Sequence, residues 1–182
     1  MSEQRIIIAG FGGQGILSMG QILAYAGLLE GKTVSWLPSY GPEMRGGTAN
    51  CSVIISEEFV GSPVVTEADT AIIMNLPSLV KYEKNVVNGG NLLINSSLIS
   101  EKTSRREVKA YEIAANDIAN ELGNAKVANM VMLGAYIELT RIVSKESIIQ
   151  SLEKVLGSSK RHLLKVNEEA LKRGTEAVRN YE

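Results

Sequence analysis

The chain has 182 residues, 45% of them apolar, and sets 19 basic against 20 acidic side chains, for a formal charge of −1. A chain of this length fits one domain, buries on the order of 70% of its unfolded surface, and is too apolar to be disordered. Near-neutral charge gives no electrostatic footprint for nucleic acid or an anionic membrane. One cysteine, Cys51, and one histidine, His162, exclude an intramolecular disulfide, a tetrahedral zinc site and an iron–sulfur cluster held by this chain alone.

Met1-Ser2-Glu3-Gln4-Arg5 leads straight into the apolar run Ile6-Ile7-Ile8-Ala9, which is too short and wrongly flanked for a signal peptide. No apolar stretch approaches the roughly 20 residues of a membrane helix, so the expectation is a cytoplasmic protein with no membrane partner. Ile6–Ala9 is β-branched and apolar on both faces, which predicts a central strand of a covered parallel sheet. A glycine loop ends it. From about Gly15 to Leu29 the apolar residues recur at helical spacing until Gly31 stops the helix, and Thr33–Leu37 is the next strand, closed by Pro38. The unit has the length of a βαβ crossover.

Beyond a loop from Ser39 to Gly47, Ala49–Ser56 and Thr70–Met74 read as strands. Pro77 then opens a helix that is expected to end around Asn88-Gly89-Gly90, before a strand at Leu92–Ile94. Val108–Ile113 alternates, and Ala114–Leu122 looks helical. The last third is helical throughout: Val127–Ile142 with small Gly134 and Ala135, a helix capped by Ser144 and ended by Gly157, and a polar helix from about Arg161 to Asn180. Without repeat or linker, the pattern predicts one α/β domain over 1–182, with a mostly parallel sheet, flanking helices and a helical C-terminal third.

Gly10-Phe11-Gly12-Gly13-Gln14-Gly15 satisfies G-x-G-x-x-G between a strand and a helix, where backbone N–H groups can meet an anion. Three readings stand: an NAD or FAD site, another anion or partner surface, and close packing without a ligand. The dinucleotide reading wants an acidic residue at the end of the second strand, where this chain has Trp36-Leu37-Pro38. A P-loop near-miss, Ala26 to Thr33, runs from helix into strand, opposite to the order that points N–H groups at phosphates.

The loop Ser39-Tyr40-Gly41-Pro42-Glu43-Met44-Arg45-Gly46-Gly47 is chemically dense. In an extended chain Glu43 and Arg45 project from one side; they can pair as an ordinary exposed ion pair, or Arg45 can fork onto a carboxylate or phosphate with Glu43 orienting it.

This loop, continued through Thr48-Ala49-Asn50-Cys51, together with the glycine loop, Gly61-Ser62-Pro63, Asn75–Leu79, Asn129 and Met132–Tyr136, resembles the gamma subunit of 2-oxoacid:ferredoxin oxidoreductases, most closely the 2-oxoglutarate or branched-chain type. The resemblance covers nearly the whole chain. It implies a Rossmann-like subunit of a complex that decarboxylates a 2-oxoacid oxidatively to an acyl-CoA and passes electrons to ferredoxin. Alpha, beta and possibly delta subunits would be its partners, and thiamine diphosphate, magnesium and the iron–sulfur clusters would lie on them, with coenzyme A as co-substrate. On this reading Gly12, Gly13, Gln14, Gly15, Ser39, Tyr40, Glu43, Arg45, Gly46 and Asn50 face the substrate, coenzyme A or a neighbouring subunit. Arg45 would clamp an anion, Glu43 orient it and Gln14 donate a hydrogen bond, with no catalytic or metal-binding residue on the chain. The rivals are a ligand-free assembly subunit, an independent NAD or FAD oxidoreductase, and a relative that oxidises indolepyruvate.

Overall fold

The computed structural model describes residues 3–39, 48–179 and 181. Its centre is a six-stranded sheet in the order β2-β3-β1-β4-β5-β6. The strands are β1 (Glu3–Phe11), β2 (Thr33–Ser39), β3 (Thr48–Ser56), β4 (Ala68–Ile73), β5 (Val86–Asn95) and β6 (Lys109–Ile113). β1, β4, β5 and β6 pair in parallel, whereas β3 runs antiparallel to both β1 and β2. The expectation of a mostly parallel α/β sheet holds.

β1 is central because its apolar run has no polar face. Ile6 and Ile8 join the large core beneath helix α1 (Ile16–Leu29), while Ala9 and Ile7 turn to the opposite face, where Ala9 packs near α2 (Leu76–Tyr82) and Ile7 meets Ile54 and Val65. Alternation of side chains along a strand makes this division automatic.

Two expectations are corrected. The glycine loop and α1 do carry the chain from β1 to a strand pointing the same way, but β3 lies between β1 and β2, so β2 is an edge strand. This explains why Pro38 sits inside β2 and does not close it: an edge strand has one side on which a missing N–H costs nothing. Second, α2 ends at Tyr82, not near Gly90, and Asn88-Gly89-Gly90 lies within β5, where the β4–β5 register shifts between Ala68 and Thr70. The glycines belong to an irregularity in a strand, where a Cβ on Gly90 would come within 2.8 Å of the Asp69 carbonyl oxygen. A shared network fixes the following segment. Arg105 donates to the Glu83 and Val86 carbonyls (2.9 and 2.6 Å), to Asn88 Oδ1 (3.1 Å) and to Glu107 (2.7 Å).

The C-terminal helices form a second layer on one face. α4 (Ala128–Thr140) is buried along most of its length because it lies between the sheet and α6 (Leu164–Arg179). α5 (Lys145–Leu156) packs on α1, with Ser144 capping it by accepting from the Ser147 amide (3.1 Å). α3 (Ala115–Glu121) lies against α4. The α4–α6 approach is backbone on backbone: a Cβ on Gly134 would lie under 3.0 Å from the Leu171 carbonyl, and one on Gly174 under 3.0 Å from the Val131 carbonyl. Glu30, just after α1, ties this layer down by accepting from the Ser144 amide (2.6 Å) and pairing with Lys32 (3.3 Å). Burial works against the Glu30 charge, but the Ser144 amide, the Ser147 and Ser144 hydroxyls and Lys32 outweigh it and hold the carboxyl below the usual range.

At the far edge, the Tyr181 hydroxyl accepts from the Glu112 amide (3.0 Å) and donates to the Glu112 carbonyl of β6, while its ring packs edge-on against Tyr111 at 5.7 Å. No helix among the described residues is long and apolar enough to cross a membrane.

Candidate functional site

At the carboxyl end of β1 one row of paired residues crosses the whole sheet: Ser39, Asn50, Ala9, Ile73, Ile94 and Glu112, in strand order. The glycine loop therefore leaves β1 beside Thr48, the first residue of β3, and one strand away from Ser39, the last of β2. The stems of the 39–48 connection and the glycine loop share one edge. Tyr40, Glu43, Arg45 and Gly46 lie outside the described residues.

The same edge is a topological switch point. β1 connects through α1 to β2 on one side, and β4 pairs on its other side, so the chain diverges above the β1 carboxyl end. Gln14 spans that gap. Its Oε1 accepts from the Phe11 amide (2.6 Å) and its Nε2 donates to the Met74 carbonyl at the end of β4 (3.2 Å). Expected as a donor to a ligand, Gln14 has both ends of its amide engaged within the fold. Gly15 follows in the left-handed region (φ 73°) and supplies the N-cap of α1. Its carbonyl accepts from Asn129 Nδ2 (3.3 Å), at the start of α4. Gly12 and Gly13 remain exposed at the tip.

Gly13 lines three adjoining depressions of about 380, 330 and 170 Å³. The largest lies between the loop and the C-terminal helices, with Ser18, Asn124, Asn129 and Asn167 on its walls. Among the described residues, Lys126 and Lys160 are the only charged side chains lining the three, and the first turn of α1 contains no acidic residue. Two lysines and the positive end of a helix favour an anionic group here. Lys126, Lys160 and Asn129 in this role escaped the sequence reading. Asn129 had a signal, as the one polar residue in Val127-Ala128-Asn129-Met130-Val131; the lysines had none.

Three chemistries find no support in these residues. A dinucleotide site of the usual kind needs an acid on the strand beside β1, but that neighbour is β3, which presents Thr48, Ala49 and Asn50. Among the described residues no three His, Cys, Asp or Glu side chains gather as metal ligands. Cys51 is fully buried, its thiol directed at the Ile16 carbonyl (3.7 Å), and burial pushes it up to about 12, so it neither ligates iron nor attacks a substrate.

Residues 5–177 match the family model described as pyruvate ferredoxin/flavodoxin oxidoreductase. Ketoisovalerate oxidoreductase subunit VorA of Methanothermobacter thermautotrophicus is 42% identical over 177 residues, 97% of this chain but 37% of that relative. The chain thus spans little more than a third of the length of that protein. Among solved structures, the gamma subunit of a keto/oxoacid ferredoxin oxidoreductase from Geobacter sulfurreducens superposes with a TM-score of 0.82 at 30% identity, covering 97% of this chain and 99% of that one. The 2-oxoglutarate:ferredoxin oxidoreductase from Magnetococcus marinus, with 2-oxoglutarate, coenzyme A and succinyl-CoA bound, superposes with a TM-score of 0.90 at 25% identity, covering 99% of this chain and 32% of that one.

Proposed function

The chain belongs to the pyruvate ferredoxin/flavodoxin oxidoreductase family, and from that premise we propose that, as one domain over 1–182, it is the gamma subunit of a 2-oxoacid:ferredoxin oxidoreductase in the cytoplasm. The complex converts a 2-oxoacid and coenzyme A to an acyl-CoA and carbon dioxide and passes the electrons to ferredoxin. The observation that carries this reading is the end-to-end likeness to a gamma subunit of the same length. The 2-oxoacid is 2-oxoglutarate or a branched-chain acid, the substrates named for the Magnetococcus and Methanothermobacter proteins.

Thiamine diphosphate supplies the decarboxylation chemistry in such a complex, and iron–sulfur clusters carry the electrons. The single cysteine is buried and the described residues gather no cluster of acidic ligands, which supports a reading in which the clusters, the thiamine diphosphate and its magnesium are held by companion subunits of the alpha and beta type, with a delta subunit as a further candidate. The contribution of this chain is the edge built from Gly12, Gly13, Gln14, Gly15, Ser39 and Asn50, with Tyr40, Glu43, Arg45 and Gly46 on the connection between its stems. Lys126 and Lys160 supply positive charge for coenzyme A phosphates or the oxoacid carboxylate, Arg45 clamps an anion and Glu43 orients it.

Purification of the tagged chain with its companions, followed by assay of 2-oxoglutarate, pyruvate and branched-chain 2-oxoacids with a viologen acceptor, tests the reading. A chain that always migrates alone, or that consumes an oxoacid unaided, overturns it. In the complex, Arg45→Ala should lower turnover and leave assembly intact. The internal engagement of Gln14 favours a second reading, an assembly subunit that touches no ligand. In that case Tyr40→Ala and Arg45→Ala impair complex formation and leave coenzyme A affinity unchanged.

A further inference from the structure

We propose that Gln14 and Asn129 are positioning residues, a pair of side-chain amides that clasp the glycine loop from opposite sides and set the conformation in which Gly12 and Gly13 meet their ligand. The inference rests on the reading that this loop faces the site.

The β1–β4 ladder ends where the Met74 amide donates to the Ala9 carbonyl (2.8 Å). One step further the strands part, leaving the Phe11 N–H and the Met74 C=O without a ladder partner. The Gln14 amide enters that gap as an extra peptide group, accepting at 2.6 Å from one and donating at 3.2 Å to the other. A third bond, from the Gln14 backbone N–H to the Phe11 carbonyl (3.2 Å), closes the loop on itself. On the other side, Asn129 donates to the Gly15 carbonyl (3.3 Å), and its Oδ1 accepts from the Met130 amide (2.9 Å), which fixes the orientation of the group. Asn129 is 8% exposed, so little water competes for its bonds.

The glycine spacing supports the same assignment. A Cβ at Gly10 would stand 2.5 Å from Gln14 Oε1 and 2.7 Å from Met74 Cβ, and a Cβ at Gly15 would stand under 3.0 Å from Asn129 Nδ2. The first and last glycines of G-x-G-x-x-G are explained within the fold, Gly10 by Gln14, Ile16 and Met74 crowding its Cβ position and Gly15 by its left-handed backbone beside Asn129, with no ligand needed. Gly13, in contrast, meets no described residue within 4 Å of its own Cβ position. The motif divides into an inner pair that admits the clasps and an outer pair that they present.

The test compares Gln14→Leu, Gln14→Glu and Asn129→Ala with Gly12→Glu, which puts a charge on the exposed tip and leaves both clasping residues in place. In the full chain, amide hydrogen exchange at Phe11 should quicken at least tenfold in Gln14→Leu, with the urea midpoint of unfolding little changed. In the purified complex, Gln14→Leu and Asn129→Ala should each raise KM for coenzyme A about tenfold with kcat held within twofold. Gln14→Glu should recover coenzyme A affinity as its carboxyl takes up a proton and regains a donor for the Met74 carbonyl, a pH dependence that Gln14→Leu lacks. Unchanged Phe11 exchange in Gln14→Leu overturns the clasp. So does a KM that rises in Gly12→Glu but in neither clasp variant. If Gly12→Glu alters no kinetic constant while Phe11 exchange still quickens, the clasp stands and the reading of the loop as facing the site falls.

Discussion

Substitution of the two glycines at the α4–α6 crossing gives a quantitative test of how the helical layer is held. In Gly174→Ala the new methyl would meet the Val131 carbonyl carbon at 2.8 Å, where ordinary contact begins at 3.4 Å, so the helices must part by at least 0.6 Å, and further for the oxygen. Clearing the oxygen, the nearer atom, takes a separation of more than about 1 Å, which forfeits at least half of each contact across the crossing. With roughly 40 atom pairs at about 0.15 kcal/mol each, that loss is about 3 kcal/mol or more. Replacing a mid-helix glycine by alanine returns about 1 kcal/mol of backbone entropy, so the net cost is about 2 kcal/mol or more. Gly134→Ala should cost the same, because its methyl meets Leu171 at the same crossing, with the carbonyl carbon again at 2.8 Å. One separation relieves both clashes. The double variant therefore incurs the loss once, gains twice in helix propensity, and should be about 1 kcal/mol more stable than either single variant. Urea unfolding followed by circular dichroism measures all three. Single variants as stable as the parent, or a double variant whose cost is the sum of the singles, would refute the shared-crossing argument.

Three further outcomes follow from buried or tethered groups. Arg105→Ala removes donors from the Glu83 and Val86 carbonyls and should cost about 2 kcal/mol, with faster proteolysis between residues 97 and 108 as the local readout. Because the folded-state value of Glu30 is lowered, its contribution to stability is complete above the ordinary glutamate range and is lost as pH falls through the lowered value. Glu30→Gln should be less stable at neutral pH and show a shallower acid limb, and parallel limbs in pH-dependent melts would count against the assignment. Cys51 should resist iodoacetamide at pH 8 in the folded chain and react once urea unfolds it; stoichiometric labelling of the native protein within minutes would contradict its burial.

Local pattern made most elements readable in advance, and tertiary placement escaped it. Ile6–Ala9 could be assigned to the sheet centre because four consecutive apolar residues leave no face for water. Nothing in Thr33–Ser39 says that an antiparallel strand will lie between it and β1, since strand order is decided by tertiary packing and not by local pattern. Asn88-Gly89-Gly90 misled because glycines end helices and also occupy strand irregularities, and only the β4–β5 register separates the two. The glycine loop was legible as a motif, but its two amide partners were not. Met74 lies 60 residues from Gln14, and Asn129 lies 114 from Gly15. The link between the glycine loop and the second loop rested on resemblance. The strand register supplies its physical basis by bringing their stems to adjacent positions.

The phenol of Tyr181 spends one oxygen atom twice, occupying the amide and the carbonyl that Glu112 would otherwise offer to a visiting strand. Growth of the sheet past β6 is thereby blocked at that rung. A strand that adds to this margin has to displace the phenol first, so the tail of the chain guards one rung of the sheet's open side.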